Sequence, residues 1–201
     1  MADQIHADPL IERVLSGETA AQDAFYRREY PPVYRICLGF LTDSDEAADV
    51  AQDSMLHLID HLDRYDPSRR FTTWRNTVTA NLCRDRLRRI STRRRIEEAA
   101  APPDLSLLPD PSDVAATSEI QGILLDTLSS LTEREREVFV LRDLEGVPSP
   151  DVAESLGVAE GTVRSLLCLA RRRLRTLLAP RLPEYSADPS ASQSGGLRAD
   201  S

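Results

Sequence analysis

The chain of 201 residues contains no lysine, so all 25 of its basic side chains are arginine. Phosphate and carboxylate recognition would favour arginine, and so would a genome-wide codon bias. Cysteine is scarce. Cys37, Cys83 and Cys168 are odd in number, far apart, and lack any C-x-x-C or Cys/His ligand spacing. That indicates neither a disulfide framework nor a zinc site, and it predicts free thiols that are buried or half-buried. No run of eighteen apolar residues exists and no charged-then-apolar leader opens the chain, so the expectation is a soluble, cytoplasmic protein with no membrane insertion. Internal repeats and strand-like alternations of useful length are also missing. What remains is an all-α fold class, with 13 unevenly placed prolines marking its breaks.

The net charge of −8 hides a strong segregation. Arg84 to Arg95 holds seven arginines and one aspartate, a net of +6, and Thr162 to Leu178 holds five arginines and no acid. Asp43 to Asp53 holds five carboxylates and no base, and Ile96 to Thr117 holds five more. Two basic elements are therefore available to bind nucleic acid, and two acidic ones are not.

The most informative stretch runs from Gly146 to Arg175: a short helix, a Gly-containing turn, and a longer helix ending in arginines. Ser149 is expected to cap the first helix, with Pro150 at its first position. Val152, Ala153 and Leu156 repeat at helical spacing, and Gly157 permits the turn. The second helix is expected to begin near Thr162 and to place Val163, Leu167, Ala170, Leu174 and Leu178 on one stripe. Its other face carries Arg164, Ser165, Cys168, Leu169 and Arg172, with Arg171 beside them. This is the pattern of a helix-turn-helix that presents its second helix to the major groove. A solvated surface helix in a small bundle is the plainer alternative.

Along the chain, residues 1–17 read as an N-terminal segment with a short amphipathic helix (Leu10, Ile11, Val14, Leu15) that ends at Gly17. Residues 18–95 read as a helical domain, and 96–117 as a flexible, acidic, Pro-rich linker. Residues 118–179 form a second helical domain, in which Thr132 and Glu135 make a capping box and Val138, Leu141 and Leu144 point inward. Residues 180–201 have the composition of a disordered tail.

Within the first domain, Asp43 to Tyr65 reads as a helix with an apolar stripe of Ala48, Ala51, Met55, Ile59 and Leu62. Its opposite side shows Asp45, Glu46, Asp49, Gln52 and Asp53. A carboxylate cluster of this kind suits a basic protein surface, a solvated face, or a divalent metal in a nuclease-like enzyme, although no histidine or second acidic segment converges on it. Downstream, a loop with aromatic and arginine residues leads into a basic helix, a combination that suits unpaired bases and phosphates. Phe71, Trp74, Val78 and Leu82 are assigned to the core. Tyr65, Arg69, Arg70, Thr72, Arg75 and Asn76 are assigned to contact.

Two groups of motifs together resemble the extracytoplasmic-function (ECF) group of bacterial sigma-70 family sigma factors. Asp45-Glu-Ala-Ala-Asp-Val-Ala-Gln-Asp53 resembles that group's D-A-E-D-V-V-Q-E segment, and Phe71, Trp74, Asn81, Asp85 and Arg88 fit its F-x-x-W, N-x-x-x-D-x-x-R pattern. Leu131 to Val138 and Gly157 to Ser165 resemble its L-P-x-x-x-R-x-V and G-V-P-x-G-T-V-K-S patterns. The resemblance implies a non-catalytic promoter-specificity subunit of RNA polymerase, without cofactor or metal. Asp45, Glu46, Asp49, Gln52 and Asp53 would then dock on the clamp helices of the β′ subunit of core polymerase. The segment from Tyr65 to Arg89, including Asn81, Arg84, Arg88 and Arg89, would open and read the −10 element, with a flipped base under the loop. The second domain would hold the β flap and set Thr162, Arg164, Ser165, Cys168, Leu169, Arg171 and Arg172 on the −35 element. The linker's carboxylates would suit the positively charged RNA channel, and an anti-sigma factor would be the expected regulator. The chain departs from the pattern at Pro148, where a serine is usual, and at Leu166 and Leu169, where arginines are common. A helix-turn-helix regulator that acts without polymerase is the competing function.

Overall fold

The structure is a computed structural model that describes residues 8–100 and 117–179. The described residues contain helices and no strand. Most of the expected linker (96–117), all of the tail and the start of the N-terminal segment lie outside them.

Helix α1 (Pro9–Leu15) is capped by Asp8, whose carboxylate accepts from the Leu10 amide at 3.0 Å, and it buries Ile11 and Val14. Gly17 follows with φ of 82°, a conformation that favours glycine. Helix α2 (Thr19–Leu41) supplies Phe25, Val33, Ile36, Cys37 and Phe40 to the core. Helix α3 (Ser44–Asp60) begins where Asp43 accepts from the amides of Asp45 and Glu46 at 3.0 and 2.9 Å. Negative side chains in this first turn also complement the helix dipole. Its buried stripe is Ala47, Val50, Ala51, Ser54, Met55 and Leu58, so the inward face lies slightly round from the expected one, with Ala48 and Ile59 at its margin. A 3₁₀ turn (Leu62–Arg64) ends the run earlier than Tyr65. Helix α4 (Phe71–Ala100) continues past the expected domain boundary at 95.

In the second half, α5 (Thr117–Ser129) precedes α6 (Glu133–Phe139), which opens with the Thr132/Glu135 capping box. A π-helical turn (Val140–Leu144) follows α6, and this shift of register turns Val140 and Leu141 inward while Leu144 faces solvent, contrary to expectation. Helix α7 (Ser149–Leu156) has Pro148 at its N-cap and Ser149 as its first residue, so the Ser149 hydroxyl does not cap it. Gly157 then turns the chain with φ of 64°. Helix α8 (Glu160–Leu178) starts one half-turn before Thr162 and buries Val163, Leu167, Ala170 and Leu174.

The two halves share a core. Val138, Val140, Leu141, Val147, Val152, Ala153, Leu156, Val163 and Leu167 join one buried apolar cluster with the residues of α2, α3 and α4. Helix α7 packs on α4, and α6 with its π turn packs on α2. Sequence periodicity carries no sign of this contact, because each half has a stripe sufficient for a small core of its own.

Candidate nucleic-acid interface

The loop before α4 is built on an aromatic cluster. Tyr65 meets Phe71 and Trp74 at centroid separations of 5.3 and 5.7 Å, and Phe71 meets Phe25 edge-on at 5.6 Å. Phe71, Trp74, Val78 and Leu82 are half-buried against the core, as assigned. The Tyr65 hydroxyl donates to the Arg69 carbonyl at 2.6 Å and so closes the loop. Burial, together with Asp8 and Asp66, pushes its phenol pKa up. Arg69, Arg70 and Thr72 are exposed on this loop and the first turn of α4.

Arg75 and Asn76 do not reach the surface. Arg75 is 8% exposed and Asn76 is fully buried. Arg75 Nη1 donates to Glu29 Oε2 at 2.9 Å, and its Nε and Nη2 both donate to Asn76 Oδ1, at 3.1 and 3.0 Å. Glu29 is itself buried on α2 and also accepts from Arg28 at 2.6 Å. A buried guanidinium needs a carboxylate partner, and Glu29 supplies one from the neighbouring helix. The two residues assigned to contact are thus part of the polar interior of the first domain.

Farther along α4, Asn81, Arg88 and Arg89 are exposed and Arg84 is half-buried. Arg88 pairs with Asp85 at 2.9 Å, and Arg84 Nη1 donates to Asn81 Oδ1 at 3.1 Å. The dominant partner of Arg84 lies in the other half of the molecule. Its Nε and Nη2 donate to the two oxygens of Glu137 at 2.7 and 3.3 Å, and the Glu137 side chain is 1% exposed.

This contact belongs to a seam. Thr73 donates to Asp151 at 3.1 Å, Arg69 pairs with Glu154, and Arg35 forms a two-toothed pair with Glu145 at 2.8 and 3.0 Å. Helix α7 of the helix-turn-helix therefore covers part of the α4 surface expected to meet the −10 element, and Arg69 and Arg84 are held by carboxylates of the second half. None of Glu137, Glu145, Asp151 or Glu154 stands out in the sequence. Glu135 is marked by its capping box, but nothing in the run Glu133-Arg-Glu-Arg-Glu137 sets Glu137 apart, and both are buried.

On α8, Thr162, Arg164, Ser165, Cys168, Leu169, Arg171 and Arg172 are all exposed, Leu169 at 38%. Cys168 is more open than the expected half-burial, whereas Cys37 and Cys83 are buried. Arg171 forms a two-toothed pair with Asp143 at 2.7 Å, and Arg173 pairs with Glu135 at 2.8 Å. Arg164 and Arg172 make no ion pair among the described residues and point to solvent. Leu166 is half-buried against the core.

The acidic face of α3 exposes Asp45, Asp49, Gln52 and Asp53. Glu46 is half-buried and pairs with Arg86 of α4, which also approaches Asp49 at 3.4 Å. Among the described residues no group of three His, Cys, Asp or Glu side chains is placed to hold a metal ion. No helix among them is long and apolar enough to cross a membrane.

Among the described residues, all helical where they are regular, an acidic face, a basic helix behind an aromatic loop and a helix-turn-helix are the parts of a nucleic-acid-binding class of protein. Residues 25–94 match the Sigma-70 region 2 family and residues 121–174 match Sigma-70, region 4. The chain is 32% identical over 171 residues to the ECF RNA polymerase sigma factor SigM of Mycobacterium tuberculosis, covering 84% of this chain and 83% of that one. It is 31% identical to the ECF RNA polymerase sigma factor SigE of Mycolicibacterium smegmatis, covering 82% of this chain and 65% of that one. Its fold resembles that of the sigma factor RpoE of Bartonella quintana, solved with the anti-sigma factor NepR, with a TM-score of 0.64, 20% identity, and coverage of 78% and 95%. The chain belongs to the ECF group of the sigma-70 family and is a sigma factor that directs transcription initiation.

Proposed function

We propose that this sigma factor grips a promoter at two points and does so only after its two halves separate. In this reading residues 18–95 dock through Asp45, Asp49, Gln52 and Asp53 on the clamp helices of β′, and residues 118–179 hold the β flap. Tyr65, Arg69, Arg70, Thr72, Asn81, Arg84, Arg88 and Arg89 meet the −10 element. Thr162, Arg164, Ser165, Cys168, Leu169 and Arg172 meet the −35 element, with Arg171 available once it leaves Asp143. The chain acts in the cytoplasm, has no catalytic activity of its own, and is held by an anti-sigma protein, as RpoE of Bartonella quintana is in complex with the anti-sigma factor NepR.

The observation that carries this reading is the Arg84–Glu137 pair. It places a carboxylate of the second half where a phosphate would have to sit, so the packed form and the DNA-bound form are mutually exclusive at that arginine. Docking of the acidic face and the second half at two separate places on polymerase would favour the open form by differential binding. The test is transcription in vitro from a candidate promoter, with core polymerase in the presence and absence of the chain. Specific initiation that needs both components supports the reading. Tight binding to a palindrome without polymerase would instead support an independent regulator.

A further inference from the structure

Cys37 on α2 and Cys83 on α4 are 46 residues apart in sequence, yet their Sγ atoms lie 3.7 Å from each other in the interior of the first half. A disulfide requires about 2.05 Å, so an approach of roughly 1.7 Å would join them. The second half reaches this pair through Glu137. That carboxylate clamps Arg84, the neighbour of Cys83, and acts on the Cys83 thiol, whereas Gly39 meets Val140 on the side of α2 about 200° round from Cys37.

The pair itself sets most of its chemistry. The Cys83 thiol is held well above its ordinary pKa by its hydrogen bond to Cys37, then by burial, with Glu137 adding to the effect and Arg84 opposing it. Peroxides react with the thiolate, so the packed form protects the pair twice, by excluding the oxidant and by keeping the proton on sulfur. Parting of the halves removes Glu137 and leaves the positive charge of Arg84 beside Cys83, which favours the thiolate.

We propose that Cys37 and Cys83 form a peroxide-sensitive dithiol, protected while the two halves are packed and oxidised to a disulfide when they part. The thiolate of Cys83 attacks hydrogen peroxide: an S–O bond forms, the O–O bond breaks, and hydroxide leaves to become water. Cys83 is thereby oxidised to a sulfenic acid. The sulfur of Cys37 then attacks that sulfur, the S–S bond forms, the S–O bond breaks, and hydroxide departs with the Cys37 proton as a second water. Two thiols and one peroxide give one disulfide and two waters. The product ties α2 to α4, the helix that carries Asn81, Arg84, Arg88 and Arg89. The inference rests on the packing of the two halves and does not depend on which promoter elements they read.

The experiment exposes the full-length chain to hydrogen peroxide, blocks free thiols with N-ethylmaleimide, and maps peptides under non-reducing conditions by mass spectrometry. Wild type, Glu137→Gln, Gly39→Ala and Cys83→Ser are compared. The Cys37–Cys83 peptide should form slowly in wild type, roughly tenfold faster in Glu137→Gln and Gly39→Ala, and not at all in Cys83→Ser. Exposed Cys168 reports in the same digest that peroxide reached the chain. Oxidised Cys168 beside reduced Cys37 and Cys83 in every variant would overturn the proposal. Equal rates in wild type and in a Gly39→Ala chain that small-angle X-ray scattering shows to be expanded would overturn it as well, because opening would then not control access.

Discussion

Gly39 lies so close beneath Val140 that a Cβ added to it would come within 2.6 Å of Cγ2 and 2.9 Å of Cγ1 of that valine. Val140 is β-branched and sits on the π turn, so it cannot swing aside as a long side chain would. Gly39→Ala therefore acts with opposite signs on two levels. Within α2 it should add roughly 1 kcal/mol of helix propensity. At the seam it should drive the two halves apart. The expected outcome is an undiminished helical signal with a larger radius of gyration by small-angle X-ray scattering. A chain that stays as compact as wild type would show that the seam absorbs the methyl group.

The seam also contains two ion pairs of different worth. Arg84–Glu137 is nearly dry, whereas the two partners of Arg69–Glu154 are 64% and 49% exposed. Breaking a buried pair leaves an uncompensated charge and costs on the order of 3–5 kcal/mol, while an exposed pair contributes about 0–1 kcal/mol. Glu137→Gln should open the chain at any ionic strength, and Glu154→Gln should change little once salt is raised. Energy transfer between dyes on the two halves would read both. Equal effects from the two substitutions would contradict this ranking.

Arg75 tests whether a residue assigned to contact meets DNA or supports the fold. Arg75→Leu leaves Glu29 with Arg28 as its remaining charged partner and takes two donors from the buried Asn76 oxygen, and it should cost about 1–3 kcal/mol of stability. The double substitution Glu29→Leu/Arg75→Leu removes both charges and should recover much of that loss, subject to packing. Thermal unfolding of the three chains decides the matter. If Arg75→Leu left stability intact and reduced only promoter opening, the interior role described above would be wrong.

His57 and His61 stand one turn apart on α3 and its cap, with ring centroids 4.3 Å apart. Burial first, then His61 and Arg64, lower the His57 pKa below its ordinary 6.5, with Asp60 opposing. The folded chain therefore holds the neutral ring, and the unfolded chain takes up the proton more readily. The contribution of His57 is fully present above pH 6.5 and is lost as pH falls through the folded value. His57→Gln should accordingly narrow the drop in thermal midpoint between neutral and mildly acidic buffer. An unchanged drop would assign the pH response to other groups.

Local rules carried much of the architecture into view. The Thr132/Glu135 box opens α6, Gly157 turns the chain, and the Val163–Leu167–Ala170–Leu174 stripe is buried as its spacing requires. Each of those signals is complete within a few residues. The misread positions depend on partners far away in sequence. Arg75 looks like a surface arginine until Glu29 is placed beside it, and Glu137 looks like a solvated charge until Arg84 arrives from 53 residues away. The π turn defeats periodicity directly, since one extra residue per turn rotates Leu144 out of the line set by Val138 and Leu141. The seam itself has no local signature, for the residues that form it also satisfy the pattern of two independent small domains.

The last prediction concerns the helix-turn-helix. Leu169 is exposed on the outer face of α8, in line with Ser165 and Arg172, while Leu166 packs against the core. Leu169→Arg should add a phosphate contact without disturbing packing. With polymerase present, promoter binding should tighten and the slope of its logarithm against that of salt concentration should steepen by about 0.9 for one new contact. Leu166→Arg should behave differently: a guanidinium forced against apolar neighbours costs on the order of 1–3 kcal/mol and lowers the thermal midpoint before any DNA is added. Binding at a series of salt concentrations, read beside thermal unfolding of both variants, separates the two roles. A salt slope unchanged by Leu169→Arg in a stably folded chain would mean that this face meets a protein surface, and that Cys168 and Leu169 form part of an apolar contact there.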